Sequence, residues 1–256
     1  MHVTAPRRPT FWIGVHQPRL ARHFARCMIS VNALEIRRSG FAVNEWILDS
    51  GAFTRLTTSR GHMPTADYAA QIRHWSSCGR LAAAVTQDYM CEPFVLAQTG
   101  LTVPDHQRLT IERYDTLLSE CLPVYLMPVL QGYQPREYVA HIRQYGDRLQ
   151  SGAWVGVGSV CKRNTHTGSV EDVLLAIYQE RPDLRLHGFG LKLTALRSGV
   201  VNDLLYSCDS QAWSYAARRH GRDANSPLEA ERYRQQVVTL PVQRAFLGLF
   251  QREEGI

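Results

Sequence analysis

Hydrophobic residues in this chain come in short unbroken runs instead of alternating with polar ones. The runs are Phe11–Val15, Trp46–Leu48, Leu81–Thr86, Val124–Leu130, Trp154–Val157, Leu184–Phe189 and Leu204–Ser207. A strand with one wet face alternates; a continuous run suits a strand buried on both faces, as in a parallel sheet covered by helices. Longer amphipathic stretches lie between the runs and predict helices over Thr65–Ser77, Asp105–Glu120, Pro135–Leu149, Ser169–Glu180 and Ser210–Arg219. Thr65 and Ser169 are placed to cap their helices, and Pro135 suits a first helical turn. Strand–helix alternation of this kind builds βαβ units. A length of 256 residues then points to an α/β chain folded as one (β/α)8 TIM-like barrel. Seven strands are read directly, and the eighth is expected from the N-terminal region or the tail. No internal repeat divides the chain. The polar loop His220–Pro227 and a last helix, Leu228–Val238, are read as part of a single domain spanning 1–256, with 220–256 as its C-terminal tail.

Composition narrows the function classes. Hydrophobic residues make up 45%, enough for a sizeable core, and charged residues 20%, which argues against disorder. The formal charge of +6 favours a polyanionic partner, nucleic acid first, over the plainer reading of a soluble basic enzyme. Cys27, Cys78, Cys91, Cys121, Cys161 and Cys208 form no Cys-x-x-Cys pair and no Cys/His cluster of zinc spacing, so no metal is expected. Scattered cysteines suit a reducing compartment. The basic start MHVTAPRRPT has no apolar segment behind it, and no run approaches the roughly 18 residues of a membrane span. A cytoplasmic protein without membrane contact is the expectation.

The residues that end the strands carry the chemistry. Trp46–Leu48 runs into Asp49-Ser50-Gly51-Ala52-Phe53, Leu81–Thr86 into Gln87-Asp88, and Val124–Leu130 into Gln131-Gly132. Trp154–Val157 runs into Gly158-Ser159, Leu184–Phe189 into Gly190, and Leu204–Ser207 through Cys208 into Asp209-Ser210. In a parallel barrel these ends converge on one face, where catalytic sites lie. Each such Asp or Gly has a plainer reading as a loop starter or helix cap, and Asp209 stands where it could simply cap the helix that follows. Recurrence at strand after strand favours a shared pocket, in which neighbouring carboxylates perturb one another's protonation.

These segments resemble the tRNA-guanine transglycosylase superfamily. LDSGAF is similar to that family's Asp-Ser-Gly-Gly-Phe/Tyr motif, PVLQGY to its Val-Gln-Gly-Gly segment, WVGVGSV to its base-binding strand, and LHGFGLK to its Met-Gly-Val-Gly strand. SCDSQAWSY falls where the family carries its nucleophilic aspartate. Together with QDYMCEP, the set most resembles the deazapurine-DNA-modification branch, over about Trp12 to Arg219. The resemblance implies Asp209 as the nucleophile that attacks C1′ and Asp49 as the general acid/base. It implies Asp88 and Gln131 as readers of the base edge, completed by the backbone at Gly158 and Ser159, with Phe53 stacking on the base. His187 occupies the place of a second stacking residue; its plainer reading is a satisfied, half-buried histidine. Two departures stand out. Ala52 replaces the second glycine of the first motif, and no cysteine follows Cys208, so a C-terminal zinc subdomain is not expected and GRDANSPLEAERYRQQ stands in its place.

Lys162, Arg163, Lys192, Arg197, Arg218, Arg219 and Arg222 gather near these motifs and suit phosphates flanking a flipped nucleotide, against the plainer reading of solvated charges. Trp213 and Tyr215 are read as core. The leading expectation is an enzyme that exchanges guanine in DNA for a 7-deazaguanine base, without a cofactor. Its partners would be single-stranded or flipped-out DNA, a free 7-deazaguanine base and accessory proteins of a modification or defence system. The rival is a hydrolytic DNA glycosylase that excises a base, modified or not, and leaves an abasic site, as in defence against phage. A third reading is a non-catalytic DNA-binding subunit, against which the paired aspartates argue.

Overall fold

The computed structural model describes residues 8–58, 60–161 and 167–242. Within them run nine strands: β1 Thr10–Val15, β2 Arg26–Ser30, β3 Glu45–Asp49, β4 Arg80–Val85, β5 Leu126–Met127, β6 Val129–Leu130, β7 Trp154–Val157, β8 Arg185–Gly188 and β9 Leu205–Ser210. All pair in parallel, in the order β5-β4-β3-β2-β1-β9-β8-β7-β6. The two edge strands, β5 and β6, are consecutive in the chain and separated only by Pro128. Proline has no N–H to give a ladder. On one side the Tyr125 and Met127 carbonyls accept from Ala84 and Thr86 at 2.9 and 3.0 Å; on the other, Pro128 and Leu130 accept from Gly156 and Gly158 at 2.8 and 2.9 Å. One stretch therefore joins both edges of the sheet. The nine pieces occupy eight positions of a nearly closed TIM-like barrel.

The eighth strand is β2, from the N-terminal region, paired to β1 and β3 (Cys27 opposite Ile13 and Trp46). The long helices lie near their expected places: α2 Thr65–Trp75, α4 Val103–Ser119, α5 Pro135–Tyr145, α6 Thr167–Glu180, α9 Ala212–Arg219 and α10 Pro227–Thr239. Short helices α1 Ala52–Thr57, α3 Pro93–Thr99, α7 Leu193–Leu196 and α8 Gly199–Leu204 fill the connections. Several ends differ from expectation. Thr65 is the first helical residue of α2 with no cap bond, and Ser169 lies inside α6. Asp105 is not the start of α4, which begins at Val103; it is the third helical residue and closes a capping box with Thr102. Ser210 belongs to β9, and α9 starts only at Ala212. Tyr215, expected in the core, is exposed while Trp213 is buried, because two positions along a helix turn about 200°.

Side chains alternate across each strand. One set (Ile13, Val15, Ile29, Trp46, Leu48, Ala84, Val155, Val157, Leu186 and Cys208) packs outward against the helices. The other fills the barrel: Trp12, Met28, Ile47, Ala83, Val85, Met127 and Val129, with Trp154 and Phe189 against them. Further up the strands lie Gly14, Ser30, Asp49, Gly158 and Asp209, which share one cavity at the C-terminal end of the barrel. The C-terminal segment is integral to the wall. Tyr233 of α10 lies 6.3 Å from the Phe11 ring, and Arg8 donates to the Val237 carbonyl at 2.8 Å. No described helix is long and apolar enough to cross a membrane.

Candidate active site

The cavity has a volume of about 280 Å³, near the lower end of small-ligand sites. Asp49, Asp88, Gln131, Gly158, Ser159, Phe53 and Asp209 all line it. Asp49 closes β3, facing the cavity. The Gly51 N–H donates to its Oδ2 at 3.1 Å, and Ser30, opposite it in register on β2, hydrogen-bonds its carboxylate. Gly51 has φ 73°, and a Cβ there would collide with Asn32, whose Nδ2 donates to the Gly51 carbonyl at 3.1 Å. This turn therefore needs glycine in a left-handed conformation. Burial, and then the nearby charge of Asp209, push the Asp49 carboxyl up to about 6.

Asp209 lies within β9 at Trp12's register on β1, so it caps nothing; Gln211 precedes α9 and makes no side-chain cap. The Gly190 N–H donates to its Oδ1 at 3.0 Å. His187 also approaches Oδ1, with Nε2 at 3.4 Å. The His187 ring is fully buried and does not line the cavity. Its Nδ1 meets Ser207 Oγ at 2.8 Å, and Trp154 Nε1 donates to the same hydroxyl at 2.8 Å. The aromatic that faces the cavity from this strand is Phe189, two residues on, with the His187 ring 4.9 Å behind it.

The opposite wall is a hydrogen-bonded chain. Ser50 Oγ donates to Asp88 Oδ1 at 3.3 Å, and Gln131 Nε2 donates to Asp88 Oδ2. Gln131 Oε1 lies 2.8 Å from Ser159 Oγ, which is also 2.8 Å from Glu92 Oε2 and accepts from the Cys91 N–H at 3.0 Å. Burial, then the charge of Asp49, push Asp88 up to about 7. Gln131 is clamped through its backbone. Its N–H donates to His141 Nδ1 at 2.8 Å, and its carbonyl accepts from Gln107 Nε2 at 2.7 Å. A Cβ on Gly158 would overlap the Gln131 amide, so glycine is what lets that side chain cross β7's end. The Gly158 N–H and carbonyl are already engaged, by Leu130 and by Tyr138 Oη at 2.8 Å. Ser159 holds φ 55°, costly for a residue with a Cβ, and that backbone turns its hydroxyl into the network.

The cations divide. Lys162 and Arg163 lie outside the described residues. Lys192 follows the end of β8 and is exposed. Arg218 and Arg219 are exposed at the end of α9; the loop beyond them stays at the catalytic end, where Asn225 bonds His16 at 2.7 Å and Gln17 at 2.6 Å just past β1. Arg222 is taken by Glu229 at 2.9 Å. Arg197 is carried away, since its neighbour Leu196 shares a cavity with Arg8, Phe11 and Arg26 at the other end of the barrel. Sequence reasoning passed over Ser30, Glu92, Phe189, Gln107 and His141. Glu92 and Phe189 sit inside quoted motifs, two to four residues from named ones; Gln107 and His141 lie on helices and carry no local signal.

The sequence profile of DeoxyPurine in DNA protein A, DpdA, matches residues 7–237. The chain belongs to the DpdA family. The DpdA match runs past Arg219 through most of α10. At the family level DpdA proteins are transglycosylase-type enzymes that act on DNA. No curated protein matches the chain.

Proposed function

We propose that the protein exchanges guanine in DNA for a 7-deazaguanine base by double displacement at C1′. The observation that carries this reading is the pair Asp49 and Asp209, inward-facing at two strand ends of one base-sized cavity whose far wall is Asp88, Gln131 and Ser159. An Asp209 oxygen attacks C1′; the C1′–N9 bond breaks, its electron pair goes to the leaving guanine, and Asp49 supplies the proton that makes that base neutral. A carboxyl pushed up to about 6 is suited to give and retake a proton near neutral pH. The incoming base then yields its N9 proton to Asp49 while N9 attacks C1′ and frees Asp209. Asp88, Gln131 and Ser159 read the base edge, Phe53 and Phe189 flank its faces, and His187 serves Asp209 instead of stacking. The target nucleotide must leave the stack to reach this cavity. Lys162, Arg163, Lys192, Arg218 and Arg219 hold the flanking phosphates.

The test is incubation with single-stranded and duplex DNA, with and without 7-cyano-7-deazaguanine, followed by nucleoside mass spectrometry and an abasic-site assay. Exchange gives deazaguanosine in the DNA and free guanine in equal amounts, and Asp209→Asn abolishes both. Abasic sites without added base replace exchange by hydrolysis, in which water resolves the intermediate. Neither product on any DNA removes the enzymatic reading.

A further inference from the structure

Glu92 is the residue the mechanism above leaves unused. It lines the cavity and is only 2% exposed. It precedes α3, where the plain role for a carboxylate is capping, yet its side chain makes no cap bond. Pro93 holds the Glu92 backbone extended, at φ −65° and ψ 141°. The carboxylate is turned to the barrel, with Oε2 at 2.8 Å from Ser159 Oγ. Its other oxygen, Oε1, is buried without any hydrogen-bond partner.

Proton counting makes that oxygen informative. Ser159 Oγ accepts from the Cys91 N–H and has one hydrogen to give, with Glu92 Oε2 and Gln131 Oε1 both at 2.8 Å. Gln131 spends a donor on Asp88. None of these donors reaches Glu92 Oε1. A buried acceptor left unmatched is costly, and more so on a carboxylate. A ligand that brings N–H groups resolves the deficit.

We propose that Glu92 is a specificity-determining residue whose Oε1 accepts an N–H of the bound base, so that the cavity selects a 2-amino-6-oxopurine or its 7-deaza analogue over a base lacking the 2-amino group. The inference rests on the base-exchange reading and adds a named selector to it. A base without that amine leaves Oε1 unmatched, and sites built on such contacts reject it strongly.

The experiment is calorimetric binding of free guanine and of hypoxanthine to wild type, Glu92→Ala and Glu92→Gln, each checked by circular dichroism and melting. Wild type is expected to bind guanine at least about tenfold more tightly than hypoxanthine. Glu92→Ala is expected to bring that ratio close to one, and Glu92→Gln, which keeps an acceptor oxygen, to retain part of it. A ratio unchanged in Glu92→Ala, or equal losses for both bases, overturns the proposal while leaving base exchange standing. Wild type that binds neither base overturns both. Should Glu92→Ala fail to fold, an unchanged ratio in Glu92→Gln together with a wild-type ratio near one overturns it equally.

Discussion

Behind Asp209 a relay of side chains crosses the barrel interior. Trp154 Nε1, a donor only, gives its hydrogen to Ser207 Oγ at 2.8 Å. A hydroxyl occupied in that way is free to donate to His187 Nδ1, 2.8 Å away, while the buried Nε2 faces Asp209 Oδ1 at 3.4 Å without a hydrogen bond. The Gly190 N–H holds Oδ1, and in the proposed reaction the other oxygen is left for C1′. His187 is thus a positioning residue in the proposed reaction. His187→Leu is expected to lower kcat by about tenfold or more, because it removes the polar ring beside Asp209, with KM for DNA within about twofold. His187→Gln, whose amide can still donate toward Asp209, is expected to recover part of kcat. Steady-state exchange rates for the two variants decide it: equal rates for Leu, Gln and His reduce the ring to filler.

At the level of strands, Gly158 and Pro128 shape the site without touching chemistry. Pro128 splits one apolar stretch so that half of it pairs with each edge of the sheet. Gly158 gives Gln131 the space to reach Asp88. Gly158→Ala is therefore expected to push the Gln131 amide off its partners and to weaken base binding by about tenfold, while the far-ultraviolet spectrum stays that of wild type. Titration with free guanine reads the first effect, and unimpaired binding would mean that Gln131 does not need its place. The same elements show what a sequence reveals. Strands buried on both faces announce themselves as apolar runs, and Asp49, Asp88, Gln131 and Ser159 were found because they end such runs. β2 was not, because Arg-Cys-Met-Ile-Ser is short and opens on a charge. Asp209's freedom from capping depended on β9 continuing to Ser210, a register fixed by pairing with β1 and not by local composition. His141 and Gln107 hold Gln131 from 10 and 24 residues away, contacts that only the closed barrel creates.

The whole molecule bears a cost for concentrating acids in its core. Asp49 and Asp88 rise from 3.8 to about 6 and about 7, chiefly because burial disfavours their charged forms, and each also feels another carboxylate. Between pH 4 and 7 the folded protein therefore holds protons that the unfolded chain has released. Stability from these two groups is greatest below about 4, declines as pH rises through that window, and is fully lost above about 7. General acid denaturation of a chain with net charge +6 runs the other way, so the signal lies in a difference between proteins and not in one melting curve. Asp88→Asn removes the buried charge and keeps one acceptor oxygen, for Ser50 or for Gln131. It is expected to melt higher than wild type at pH 8 by a few degrees, at roughly 2–4 °C per kcal/mol for a chain this size. The gap is expected to close as pH falls to about 4.5. Melting temperatures of both proteins across pH 4.5–8 check the sign: a gap that widens toward acid would mean that Asp88 is held ionised in the fold, and that its charge, like those of most surface aspartates, stabilises the barrel.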